Sequence, residues 1–295
     1  MFPKSPRAVD ADSCAPNTAR QLSPLPACRL GSMSRRLSTT LAAPPKYCFL
    51  GLVDLLGFSD LVSTVDLTQV VHVLKRFQSI TRSIVLRANA QRVDHGLDRC
   101  ARSRLRLFSD LILVHTRGDS HDDCMDIVEV CSKLFRVGCE NGLLPRGAIG
   151  WGEMYLSPSI VAGKPLVEAH RLEASQEWAG ISLCDSMSIW NAEHGLTGDR
   201  RGSILGEMKE AGWLVPWLVP TKCLPYRERL AVNWLIFDQP PYWHKRFAEP
   251  RDEIADERVR MKLANTEAFY RYLVAKTHHV EPKRRSRGRT RGSKM

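Results

Sequence analysis

Two carboxylates stand out by where the chain puts them. Asp54 ends the apolar run 46–57 (KYCFLGLVDLLG) and precedes Gly57, Phe58 and Ser59. A strand buried on both faces gains nothing from an acid beside its last apolar residues, because an unpaired buried charge is costly. Asp110 follows Ser109 in the middle of 104–116 (RLRLFSDLILVHT). Each alone also suits an ordinary strand end or turn. Two carboxylates brought together repel and raise a pKa unless a cation lies between them. A divalent metal is the economical neutraliser, and a pair of metals suits phosphoryl chemistry. Gly57 permits a close turn, so the backbone amides after Leu56 can hold phosphate oxygens.

The surrounding pattern supplies elements that would bring the two acids together. Residues 46–57 form a continuous apolar run of strand length, which predicts a strand covered on both faces. A helix follows, capped by Ser59 or Asp60 and continued by apolar residues as far as Val85. The stretch 104–116 reads as two short strands joined by a tight turn at Ser109-Asp110. Further on come a helix over 121–141 stopped by Gly142, a strand over 145–156, a helix over 164–177 and a strand over 180–184. The order βαββαβ with an added α-β predicts an α+β, ferredoxin-like core with an antiparallel sheet and helices on one face. In that topology the first and third strands are neighbours, and Asp54 and Asp110 meet.

The totals bound the rest. The 295 residues are 43% apolar, enough for a substantial core. The net charge of +11 sits at the ends: residues 1–46 carry +5, residues 281–295 carry +6, and the middle is neutral. Basic tails can touch nucleic acid or anionic lipid, but are more often solvated, so no stable nucleic-acid or membrane partner is expected. Nine scattered cysteines without a CxxC pair argue against a disulfide framework and a zinc site, and predict a reducing, cytoplasmic setting. Residues 1–45 are predicted to be a disordered extension, 46–185 a catalytic domain, 186–280 an extension packing on the core, and 281–295 a basic disordered tail.

The same residues resemble the class III nucleotidyl cyclases. Val53-Asp54-Leu55-Leu56-Gly57-Phe58-Ser59 is similar to their first metal motif, and Ser109-Asp110 to their second metal position. Residues 146–153 (RGAIGWGE) resemble the strand that follows, and 163–173 (GKPLVEAHRLE) the helix that ends their catalytic core. The likeness spans about residues 46–185. It departs from purine cyclases at Val167, where they carry Asn, at Ile160, where adenylyl cyclases carry Asp, and at Arg104, where they carry Lys. The opening 53–62 and the segment 163–173 instead look like the Pycsar pyrimidine cyclases of bacterial anti-phage defence.

That resemblance implies a reaction: UTP converted to 3′,5′-cyclic UMP and pyrophosphate, with Mn²⁺ or Mg²⁺ as cofactor, two ions per site. It implies Asp54 and Asp110 as metal ligands with the Leu55 carbonyl beside them. Gly57 and Phe58 would line the triphosphate path, Arg104 would face the base, and Arg171 would reach the phosphates from a partner subunit. A homodimer with sites at its interface is implied, as is a downstream effector responsive to the cyclic nucleotide. The alternatives are a cytidylate cyclase, a class III adenylate or guanylate cyclase, and a non-enzymatic cyclase-like sensing module.

Overall fold

The computed structural model describes residues 44–72, 74, 75, 78, 79, 82, 83, 103–140, 143–195, 203–236 and 256–278. Residues 1–43 and 281–295 of the ends predicted to be disordered, the helix stop at Gly142 and the end of the apolar run at Val85 lie outside them.

Eight strands form one sheet. The apolar run becomes β1 (Lys46–Leu56) at its centre. β2 (Ser103–Phe108) and β3 (Leu111–Thr116) make the expected hairpin, with Phe108 paired to Leu111 across Ser109 and Asp110. Ser109 takes a φ of 55°, the left-handed conformation a tight two-residue turn demands. β4 (Leu144–Leu156), the short β5 (Val161–Gly163), β6 (Ile181–Leu183), β7 (Leu214–Val219) and β8 (Arg227–Val232) follow. The order is β2-β3-β1-β4-β6-β8-β7, with β5 paired to β4. β1 runs antiparallel to both β3 and β4, and β6 runs parallel to β4. The first four strands and their helices thus form an α+β, ferredoxin-like core.

The helices cover both faces, where the sequence had predicted one. Phe49, Val53 and Leu55 of β1 belong to the cluster that includes Ile127, Cys131 and Leu134 of α2 (His121–Glu140). Cys48, Leu50 and Leu52 meet Ala169 and Leu172 of α3 (Lys164–Ser175) on the other face. The cause is the strand itself: apolar side chains at successive positions leave neither face suited to water. Gly51 lets α2 approach, since a Cβ there would lie 2.7 Å from Cys131 Sγ. Ser120 and Asp123 fix the start of α2 reciprocally, the Asp123 carboxylate accepting from Ser120 N and Asp123 N donating to Ser120 Oγ.

The single helix expected after β1 is interrupted. α1 (Phe58–Thr64) stops, and Asp66 caps a new helical stretch at 67–72, its side chain accepting from Thr68 N at 2.8 Å. After β6, α4 (Asp185–His194) sets Trp190 edge-on to Phe49, and α5 (Ile204–Glu210) adds Leu205 and Met208 to the core. β7 and β8 widen the sheet beyond β6. α6 (Glu257–His278) packs Phe269 against Trp178 at 4.6 Å. The described cysteines are all free, and Cys124, Cys131 and Cys139 serve α2 as small buried apolar groups. Among the described residues, no helix is long and apolar enough to cross a membrane.

Candidate functional site

Side chains on a strand alternate, so Asp54 continues the column Cys48, Leu50 and Leu52 on the α3 face. It lies beyond the last apolar member of that column, opposite Arg146 in the β1–β4 register. The β1–β3 ladder ends at Val53 opposite Ile112. Asp110, two residues before Ile112, therefore sits at the turn beside the end of β1. The two acids feel each other. Burial is the main cause that raises the Asp54 pKa, the Arg146 guanidinium opposes it, and the Asp110 charge raises it further.

Arg146 is the residue that reasoning from sequence assigned no role. Its Nη2 donates to Asp54 Oδ2 at 3.1 Å and lies 2.5 Å from Glu173 Oε1, while Nη1 donates to the Gln176 carbonyl at 3.1 Å. The approach to Glu173 is a close contact of opposite charges. Burial also raises the Glu173 pKa, against the pull of Arg146. The side chains of Asp54, Arg146 and Glu173 are 22%, 11% and 5% exposed. Removing one member of a pair this buried costs about 3–5 kcal/mol, because the other charge is left uncompensated.

The remaining predicted residues fall into separate places. Gly57 ends β1 with a φ of 82° and open space around it, so the conformation rather than crowding asks for glycine. The Phe58 side chain is buried in the α2-side core, which leaves only its backbone at the turn. Leu55 is buried on that same side. Arg104 is exposed on β2 opposite His115. Its neighbour Arg106 donates to the Ser157 carbonyl at 2.5 Å, tying β2 to the β4–β5 turn.

Arg171 sits two residues before Glu173. It is exposed on α3 and lines a cavity of about 1100 Å³ with Tyr47, Trp151, Glu153, Val167 and His194. Tyr47 and Asp54 are seven residues apart on β1, or about 23 Å at the usual rise of 3.3 Å per residue. Glu173, two residues on from Arg171, shares Arg146 with Asp54. Trp151 Nε1 donates to Asp119 Oδ2 at 3.3 Å on the cavity wall, and His194 packs edge-on to Trp151. No local sequence pattern announces that cluster.

The donor set at Asp54 and Asp110 suits a hard cation. Asp54 Oδ2 already accepts from a positive group, and the neighbouring acid adds negative charge. Among the described residues, no group of three or more His, Cys, Asp or Glu side chains is arranged to hold a metal ion. Two carboxylates completed by backbone, water and substrate phosphates match the way Mg²⁺ is bound in phosphoryl-transfer sites.

No family model matches the chain, and no curated protein matches it. Solved structures do. The adenylyl cyclase CyaB from P. aeruginosa is similar at a TM-score of 0.44 and 13% identity, over 67% of this chain and 97% of that one. The monomeric guanylyl cyclase domain of the RhoGC fusion protein from the aquatic fungus Blastocladiella emersonii is similar at 0.45 and 11%, over 64% and 95%. The guanylyl cyclase Cya2 is similar at 0.41 and 15%, over 64% and 91%. These similarities are distant.

Proposed function

We propose that the chain is a class III nucleotidyl cyclase that converts UTP to 3′,5′-cyclic UMP and pyrophosphate, a second messenger of the Pycsar anti-phage type. What supports this reading is the register that sets Asp54 at the end of β1 and Asp110 at the turn of the neighbouring β2–β3 hairpin, with the Asp110 charge adding to the rise of the Asp54 pKa.

Asp54 and Asp110 hold Mn²⁺ or Mg²⁺, with the Leu55 carbonyl as a further donor. When bound, the ions supply an acidified ribose 3′-hydroxyl and charge stabilisation for the leaving pyrophosphate. The backbone amides at the Gly57 turn contact phosphate oxygens, and buried Phe58 anchors that turn to the core. Exposed Arg104 donates to a pyrimidine carbonyl. Arg171 reaches the phosphates of a partner's site in a homodimer. Positioning and fixed charge account for the rate gain.

Asn replacement tests the reading while preserving shape. Asp54→Asn and Asp110→Asn each lower UTP turnover at saturating Mn²⁺ by at least about 100-fold, the scale of losing one main electrostatic contact. Full turnover in either variant would refute the assignment.

A further inference from the structure

The reaction above gives Arg146 and Glu173 no part, yet they hold the carboxylate on which it depends. One guanidinium faces two acids: Asp54 Oδ2 at 3.1 Å and Glu173 Oε1 at 2.5 Å. The Gln176 carbonyl fixes its other arm. His170 Nδ1 stands 3.8 Å from Glu173 Oε2 and is itself largely exposed. Where water is scarce, a fixed positive group at a carboxylate oxygen competes directly with any other cation for that oxygen. The guanidinium can yield only if another anion keeps it paired. Glu173, almost fully buried on α3, is placed to do that.

We propose that Arg146 is a built-in counter-ion that occupies Asp54 while no metal is bound, and that Glu173 keeps the guanidinium when a divalent cation takes Asp54. The exchange makes and breaks ionic contacts only. It rests on the reading of Asp54 as a cation-binding carboxylate. Its signature is a pair of opposite effects. Glu173→Gln leaves the guanidinium with Asp54 as its charged partner, so the cation must displace a stronger hold. Arg146→Gln removes the competitor. A scaffold that only kept β4 and α3 together would weaken cation binding in both variants or change it in neither.

The test titrates full-length protein with Mn²⁺ in the absence of nucleotide and reads free Mn²⁺ by electron paramagnetic resonance. Folding of each variant is followed by thermal melting. Glu173→Gln is expected to raise the Mn²⁺ Kd about tenfold, and Arg146→Gln to lower it by a similar factor. If Arg146→Gln does not fold, Glu173→Gln decides alone, since it leaves the Asp54–Arg146 pair in place. An unchanged or lower Kd in Glu173→Gln overturns the counter-ion role and leaves the cation site standing. If wild type and Asp54→Asn bind Mn²⁺ equally, the cation site itself is overturned, and this inference with it.

Discussion

Arg146 Nη2 lies 3.1 Å from Asp54 Oδ2, across a register pair that joins β1 to β4. The acid that ends the apolar column of the central strand is therefore already balanced by a neighbour 92 residues away. Arg171, two residues before Glu173 on α3, is exposed and lines a cavity with Tyr47. The proposed function has this arginine serve the acids of a partner's site.

That division predicts complementation. Arg171→Ala alone and Asp54→Asn alone are each expected to lose nearly all turnover. Mixed in equal amounts and allowed to exchange subunits, they form heterodimers with one intact site. Recovery of about a quarter of wild-type activity is expected from random pairing of a two-fold dimer. An inactive mixture with proven heterodimer formation would show that Arg171 and Asp54 act from the same chain.

His115 sets an acid limit on stability. It is buried on β3, its Nδ1 lies 3.1 Å from the Thr116 carbonyl, and Lys46, Arg104 and Arg106 carry positive charge nearby. Burial is the main cause that lowers its pKa from the ordinary 6.5. A depressed folded pKa means the unfolded chain takes the proton first. The stability contributed by neutral His115 is therefore complete above pH 6.5 and falls as the pH drops through the lowered value. His115→Asn should flatten the decline of Tm over that range. Parallel melting curves against pH for variant and wild type would exclude this contribution.

Much of this was legible in the sequence, and the exceptions have physical reasons. A continuous apolar run of strand length, ended by Gly57, suits a fully covered strand, so β1 was readable, and Ser109-Asp110 between two strand-like segments marked the hairpin. The Asp54–Arg146–Glu173 triad was not readable as such. Its members belong to three elements, and no local period links them. The cover on both faces followed from β1 itself, yet the helices alone did not announce which face each would take. β7 hid behind Pro216 and Trp217, and proline is tolerated there because β7 is the last strand of the sheet. Three-residue β5 is too short to show alternation. The break before 67–72 depends on the Asp66 carboxylate accepting from the backbone N–H of Thr68, which competes with an otherwise helical pattern.

Gly51 reports on the packing that holds β1 in place. An added Cβ would lie 2.7 Å from Cys131 Sγ, inside van der Waals contact. Gly51→Ala should cost about 1–3 kcal/mol, the usual penalty for overpacking. Cys131→Ala in the same chain should recover part of it, because the two atoms then no longer collide. Chemical denaturation of the four variants in a double-mutant cycle measures the coupling. Strict additivity would show that the strand and helix shift apart without strain.

If Asp54 and Asp110 cyclise a pyrimidine nucleotide, purified full-length protein incubated with Mn²⁺ and an equimolar mixture of ATP, GTP, CTP and UTP should yield 3′,5′-cyclic UMP and pyrophosphate as its main products by mass spectrometry. Neither should form in Asp54→Asn or Asp110→Asn. A cyclic purine nucleotide as the main product would overturn the pyrimidine assignment, and no cyclic nucleotide from any of the four would overturn the cyclase itself.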